Sequence, residues 1–132
     1  MKSKEENIIA VKSYDFAVRC VKLYKYLCAE KHDNTIGKQL LRSGTSIGSN
    51  VKEALRGYTK ADFAAKMSIS LKEASETEFW LELLRDTEYI TESQAQSMLT
   101  DCVEIIKLLM AITKTAQESI KHYALSIKNY GR

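Results

Sequence analysis

The sequence predicts an all-α protein, an up-down-up-down four-helix bundle of long antiparallel helices with short connections. Three observations predict it. The 132 residues contain no proline and only five glycines. That argues against an all-β or loop-rich fold, which needs turns every ~8–12 residues. Apolar residues recur at three- and four-residue steps along most of the chain, which is the helical period. The polar interruptions are short, and short connections between amphipathic helices make sequential neighbours antiparallel. A mostly helical array that is not a bundle is the alternative. The length fits one domain, large enough to bury a core without disulfide or metal staples. We divide it into an N-terminal arm (1–12), the bundle (13–127) and a frayed tail (128–132).

The first helix is expected from about Ser13 to Glu30. Ser13 suits an N-cap and Asp15 the first turn. Phe16, Ala17, Cys20, Leu23, Tyr24 and Leu27 form its apolar face. Lys31 to Asn34 is a polar connection in which Asp33 or Asn34 can cap the next helix. The second helix is expected from Thr35 to Tyr58, with Ile36, Leu40, Ile47, Val51, Ala54 and Tyr58 as its stripe. Gly37, Gly44 and Gly48 lie inside it, where each glycine costs about 0.5–1 kcal/mol relative to alanine. They predict close approach of another helix or a kink near Gly44, with Gly57 as a C-cap.

The third helix is expected to start near Thr59, where Thr59 and Asp62 imitate a capping box, and to run to about Glu88. Phe63, Met67, Ser70, Ala74, Thr77, Leu81 and Leu84 alternate steps of four and three, a heptad seam. Thr91 and Gln94 open the fourth helix. Ala95, Met98, Leu99, Cys102, Ile105, Ile106, Leu109 and Ile112 follow at the same rhythm. It weakens through Ala116, Ile120 and Tyr123, so either the helix continues or the tail packs as a short extra helix.

Chemistry-bearing motifs are scarce. Cys20, Cys28 and Cys102 have no C-x-x-C spacing, and His32 and His122 are far apart, so no metal or other cofactor is expected. Cys20 and Cys28 read as small hydrophobes on a buried helix side. There is no nucleophile elbow, phosphate loop or His-centred triad. Neither histidine has the Glu three residues before it that carboxylate metal bundles use. A non-enzyme is expected. The N-terminus MKSKEENIIAVKS lacks a signal-peptide core, and no run approaches the ~18 apolar residues of a membrane span. These predict a cytoplasmic protein without a membrane partner.

The net charge of +3 hides segregation. Residues 31–60 carry six basic and two acidic residues, residues 61–104 three basic and ten acidic, and residues 105–132 five basic and one acidic. At about 100° per residue, Lys38, Arg42, Lys52, Arg56 and Lys60 share one arc of the second helix with Thr45 and Ser49. Cations with short hydroxyl donors between them suit phosphate contact. The other reading is a solvated face that the acidic third helix neutralises. The third helix also has a second apolar side of Ala65, Ile69, Phe79, Trp80 and Leu83. Such a patch predicts self-association, with Lys72, Glu73 and Glu76 as a polar rim. Alternatively the helix is central and touches neighbours on both sides.

One stretch is more specific. Gln39-Leu40-Leu41-Arg42 is followed by Ser46-Ile47-Gly48-Ser49-Asn50-Val51-Lys52-Glu53-Ala54, and the third helix carries Ala74-Ser75-Glu76-Thr77-Glu78. This resembles the four-helix-bundle family encoded in intervening sequences of bacterial 23S rRNA genes. Its pattern is Q-x-x-R, then S-I-x-x-N-I-x-E-G, then G-S-x-x-E. Here Val51 replaces Ile, and Ala54 and Ala74 replace Gly. The resemblance covers roughly residues 13–113. It implies a ring-like homopentamer, and kinship with accessory variability proteins of diversity-generating retroelements. Those bind nucleic acid and a reverse transcriptase through a basic surface.

Arg42, Ser46, Asn50 and Glu53 share one side of the second helix. They either line a ligand or RNA surface, or form a polar network with Ser75 and Glu78 in which Arg42 or Asn50 reaches Glu78. The expected function is a homo-oligomeric bundle that binds RNA or DNA through Lys38, Arg42, Lys52, Arg56, Lys60 and the basic tail. The alternative is a scaffold for a protein partner, such as a reverse transcriptase, without nucleic-acid contact.

Overall fold

Capping chemistry sets the helix starts. The structure, a computed structural model, describes residues 2–32 and 35–130. They form α1 (Lys4–Glu30), α2 (Thr35–Leu55), α3 (Lys60–Asp86) and α4 (Glu92–Tyr130). Each helix packs on two others, in the pairs α1–α2, α2–α3, α3–α4 and α1–α4. That closed cycle of neighbours is the expected four-helix bundle.

α1 begins nine residues before the expected Ser13. Ser3 is its N-cap: Ser3 Oγ accepts from the Glu6 amide (3.1 Å), and Glu6 Oε2 accepts from the Ser3 amide (2.8 Å). This capping box satisfies two end amides that would otherwise lack partners. The segment expected as an arm therefore lies mostly in α1 and contributes fully buried Ile9 to the core. Ser13 is not a cap. It lies mid-helix, buried, and its hydroxyl turns back to the Ala10 carbonyl (3.4 Å). Asp33 and Asn34, the expected caps of the second helix, lie outside the described residues.

α2 ends at Leu55, not Tyr58. The amides of Arg56 and Gly57 fall back on the carbonyls of Glu53 and Ala54, a tighter i−3 closure of the last turn. Gly57 does not take the left-handed conformation of a glycine C-cap. Tyr58, placed on the apolar stripe by spacing, lies beyond the helix and is 99% exposed.

Thr59 Oγ1 accepts from the Asp62 amide (3.0 Å) and starts α3. α3 stops at Asp86, two residues before the expected end. Tyr89 N donates to the Leu84 carbonyl (2.9 Å) and Glu88 N to that of Arg85 (3.1 Å). This is a Schellman closure with Glu88, at φ 67°, in the left-handed position. Thr91 and Gln94 then exchange reciprocal bonds of 2.8 and 3.1 Å to cap α4.

α4 is one continuous helix of 39 residues. Its inward side is buried as far as Thr113 and half-buried at Ala116, Ser119 and Ile120, beside the starts of α1 and α3, and most of the helix beyond is exposed. It reaches Tyr130, through the start of the expected frayed tail; residues 131 and 132 lie outside the described residues.

The core follows the expected seams. Leu40, Ile47 and Val51 of α2, Met67, Ala74, Leu81 and Leu84 of α3, and Ala95, Met98, Cys102, Ile105 and Leu109 of α4 meet Phe16, Cys20 and Leu27 of α1. Burying each large side chain contributes about 1.5–3 kcal/mol. Buried hydroxyls are paired: Ser70 donates to the Ile47 carbonyl (2.8 Å), and Thr77 and Ser43 share a bond of 2.9 Å. Two glycines of α2 set the distance to α1. A Cβ on Gly44 would lie 3.0 Å from Cys20 Cβ, and one on Gly48 would lie 3.1 Å from the Ser13 carbonyl oxygen.

Candidate functional site

α2 turns its apolar arc inward against α1, α3 and the core, so its basic arc faces out. Lys38, Ser49, Lys52 and Arg56 are exposed, with Thr45 half-buried among them. Among the described residues, no ion pair engages Lys38, Lys52 or Arg56. From Lys38 to Arg56 the row runs about 27 Å along the helix.

The two other cations expected in this row are engaged. Lys60 lies beyond α2, at the first position of α3. Its Nζ donates to Ser119 Oγ (3.2 Å) and lies 5.9 Å from the Tyr123 ring centre. It thereby ties the α3 start to the C-terminal part of α4.

Arg42 sits at the edge of the row, where α2 meets α3. Its guanidinium bridges Glu73 (3.1 Å) and Glu76, and its Nε donates to Gln39 Oε1 (3.3 Å). Glu76 Oε2 also accepts from the Trp80 indole N–H (2.9 Å). Arg42 therefore meets Glu73 and Glu76 in a half-exposed seam on the α2–α3 surface, not in a buried network.

Neither Arg42 nor Asn50 pairs with Glu78. Glu78 is two positions beyond Glu76 and so about 200° around α3, where its charge adds to burial in raising the thiol of Cys102 of α4. Asn50 and Ser46 bond within α2: Asn50 Nδ2 donates to the Ser46 carbonyl (2.8 Å) and Ser46 Oγ to that of Arg42 (2.7 Å). Glu53 reaches Lys66 of α3 (3.6 Å), and Ser75 is exposed.

The second apolar side of α3 faces outward. Ile69 and Phe79 are 42% and 54% exposed. Ala65 is exposed, while Trp80 and Leu83 are half-buried. Phe79 meets Trp80 edge-to-face, with ring centres 4.9 Å apart. Glu76 thus joins the two features: Arg42 holds it from α2, and it holds the tryptophan at the margin of the apolar patch.

The sequence reading missed the α1–α4 seam. Arg19 pairs with Asp101 and donates to Ser97 Oγ (2.7 Å), and Lys12 pairs with Glu104 (2.5 Å). The Glu104 carboxylate holds the Lys12 ammonium above its ordinary pKa. The steps of seven from Lys12 to Arg19 and from Ser97 to Glu104 carried the signal for two facing polar edges. Elsewhere, burial pushes the Cys20 and Cys102 thiols up to about 12, so they remain protonated and inert. Cys28 is half-buried rather than in the core.

Among the described residues, no cluster of three or more His, Cys, Asp or Glu side chains could hold a metal ion, and no helix is long and apolar enough to cross a membrane. The family model described as "23S rRNA-intervening sequence protein" matches residues 5–111. No curated protein matches the chain. Among solved structures, the chain is similar to a protein of unknown function from the S23 ribosomal protein family of Bacteroides thetaiotaomicron VPI-5482. The identity is 53% and the TM-score 0.82, with 83% of this chain and 98% of that chain covered.

Proposed function

The chain belongs to the 23S rRNA-intervening sequence protein family, and from that premise we propose that it is a non-enzymatic, homo-oligomeric bundle that binds nucleic acid through the outward face of α2. The observation that supports this reading is the row of Lys38, Lys52 and Arg56, cations without partners among the described residues, with Thr45 and Ser49 between them. Cations displace the counterions of a phosphate backbone, and hydroxyls supply short donors for position.

Titrating labelled RNA at several salt concentrations tests it. Affinity is expected to fall as salt rises, and Lys52→Glu with Arg56→Glu is expected to weaken binding at least tenfold. Binding without a salt slope, or indifferent to that double reversal, refutes the reading.

The outward apolar face of α3 supports self-association through Ile69, Phe79, Trp80 and Leu83, in a ring whose expected number is five. Sedimentation checks it, and a monomer at micromolar concentration rules it out. The same face supports the rival reading of a scaffold with a protein partner, for which recovery of that partner would survive nuclease treatment. Free thiols in the core fit a reducing compartment, and we assign the protein to the cytoplasm.

A further inference from the structure

Beside the basic row, α1 and α2 enclose a groove of about 480 Å³. That volume lies within the roughly 300–1,000 Å³ range of small-molecule sites. The groove exists because three positions on its floor have little or no side chain. Gly48 lets the helices close to contact, and Ala10 and Ala17 leave the space above it open. Tyr14 stands between the two alanines on α1 as one wall, 69% exposed. Among the described residues it has no hydrogen bond and no ring partner. Lys52 of α2 and Arg56, the residue just past its end, also line the groove.

We propose that this groove receives an unpaired nucleobase stacked on Tyr14, with the adjoining phosphates on Lys52 and Arg56. The chain then prefers single-stranded nucleic acid to duplex. This rests on the nucleic-acid reading of the α2 face and specifies its substrate. The reasoning is chemical. An exposed aromatic beside a basic row is the combination that holds single strands, because every base offers a stacking face. In a duplex the bases are already stacked and paired, and the ring has nothing to receive. A purely electrostatic face needs no aromatic and would treat the two forms according to charge alone.

Fluorescence anisotropy tests it, with oligo(U), oligo(dT) and a duplex of equal length at one salt concentration. The expected result is tighter binding of both single strands than of the duplex. Tyr14→Ala is expected to weaken single-strand binding about tenfold, within what one stacked base contributes, and to leave duplex binding unchanged. Tyr14→Trp is expected to retain single-strand binding. Tyr14 is exposed, so thermal unfolding of the variants should match the parent and separate lost binding from lost folding. As a second readout, a 5-iodouridine strand should photo-crosslink to the Tyr14 peptide. Equal loss on single strand and duplex, or no loss on either, overturns the groove assignment while leaving the α2 reading standing. Absence of salt-sensitive binding to all three probes overturns both.

Discussion

Replacing Gly44 with alanine should destabilise the bundle, against what helix propensity alone predicts. Propensity favours alanine by about 1 kcal/mol at an interior helix position. The new Cβ, however, would lie 3.0 Å from Cys20 Cβ and closer still to its sulfur. Ordinary carbon contacts begin about half an ångström farther out. Cys20 is fully buried, so its sulfur cannot swing aside without striking another core atom. Overpacking of this kind costs about 1–3 kcal/mol, leaving a net loss of about 1 kcal/mol.

Cys20→Ala alone removes one buried atom and should also lose about 1 kcal/mol. In the double variant the clash with the sulfur is gone, while the Cβ–Cβ contact at 3.0 Å remains because alanine keeps that atom. Its stability should lie about 1 kcal/mol below the parent instead of the roughly 2 kcal/mol of the summed single losses, a coupling of about 1 kcal/mol. Urea denaturation followed by far-UV circular dichroism measures all four corners of the cycle. One fixed protein concentration is needed, since oligomerisation would shift the apparent stability. If Gly44→Ala stabilises by about 1 kcal/mol, or if the two substitutions are additive, α1 and α2 do not meet through this glycine.

Glu88→Gly should raise stability by about 1 kcal/mol, because a non-glycine residue in the left-handed position costs about 1–2 kcal/mol; urea midpoints check it. Arg42→Ala should cost less than about 1 kcal/mol, as exposed pairs do. It should nevertheless shift the emission of Trp80, the chain's one tryptophan, because Glu76 loses the guanidinium that holds it; Arg42→Lys should not restore the parent spectrum, since an ammonium cannot span both carboxylates. At alkaline pH the raised thiols predict a sign. Unfolded cysteines ionise from about pH 9, whereas Cys20 and Cys102 hold their protons to about 12 in the fold. Their contribution is intact below pH 9 and falls as pH rises from there toward 12, by about 1.4 kcal/mol per pH unit for each thiol. The difference between parent and Cys20→Ala in denaturation across that range isolates one of them.

What sequence could and could not read follows from the range of the forces involved. The starts of α3 and α4 were legible because Thr59 with Asp62, and Thr91 with Gln94, act within one turn. The seam Met67–Leu84 was legible because burial repeats with the helix period. The start of α1 went astray for a physical reason: Ser13 has the chemistry of a cap and stands just before the periodic run from Phe16, whereas the capping box of Ser3 and Glu6 lies well upstream of that run. Only the contact with Gly48 shows why a serine belongs inside that helix, where a larger side chain would push α2 away. Tyr58 misled in the opposite sense, since correct spacing carries no information once the helix has ended. Arg42 marks the deeper limit. Its arc on α2 was readable, but α3 offers acids on several sides, and the crossing of two helices decides which it meets. Glu73 and Glu76 lie on the α2 side of α3, and Glu78 does not.

The same geometry bears on whether the basic face of α2 is merely a neutralised surface. Neutralisation requires acids within about a Debye length, 8–10 Å at ordinary salt. The acid-rich part of the chain carries ten carboxylates, yet several are already engaged elsewhere. Glu73 and Glu76 hold Arg42 at the α2–α3 edge, Asp101 and Glu104 hold α1, and Asp86 pairs with its neighbour Arg85. Glu78 lies about 200° around α3 from Glu76, away from Arg42. Acidic α3 therefore pairs directly with the row at Arg42, on its edge, and approaches its far end where Asp62 packs beside Gly57, while among the described residues no ion pair engages Lys38, Lys52 or Arg56. Folding converts a modest total of +3 into a localised positive strip. Its strength is set by which carboxylates the bundle has turned toward other seams, and a phosphate backbone approaching α2 would meet that strip first.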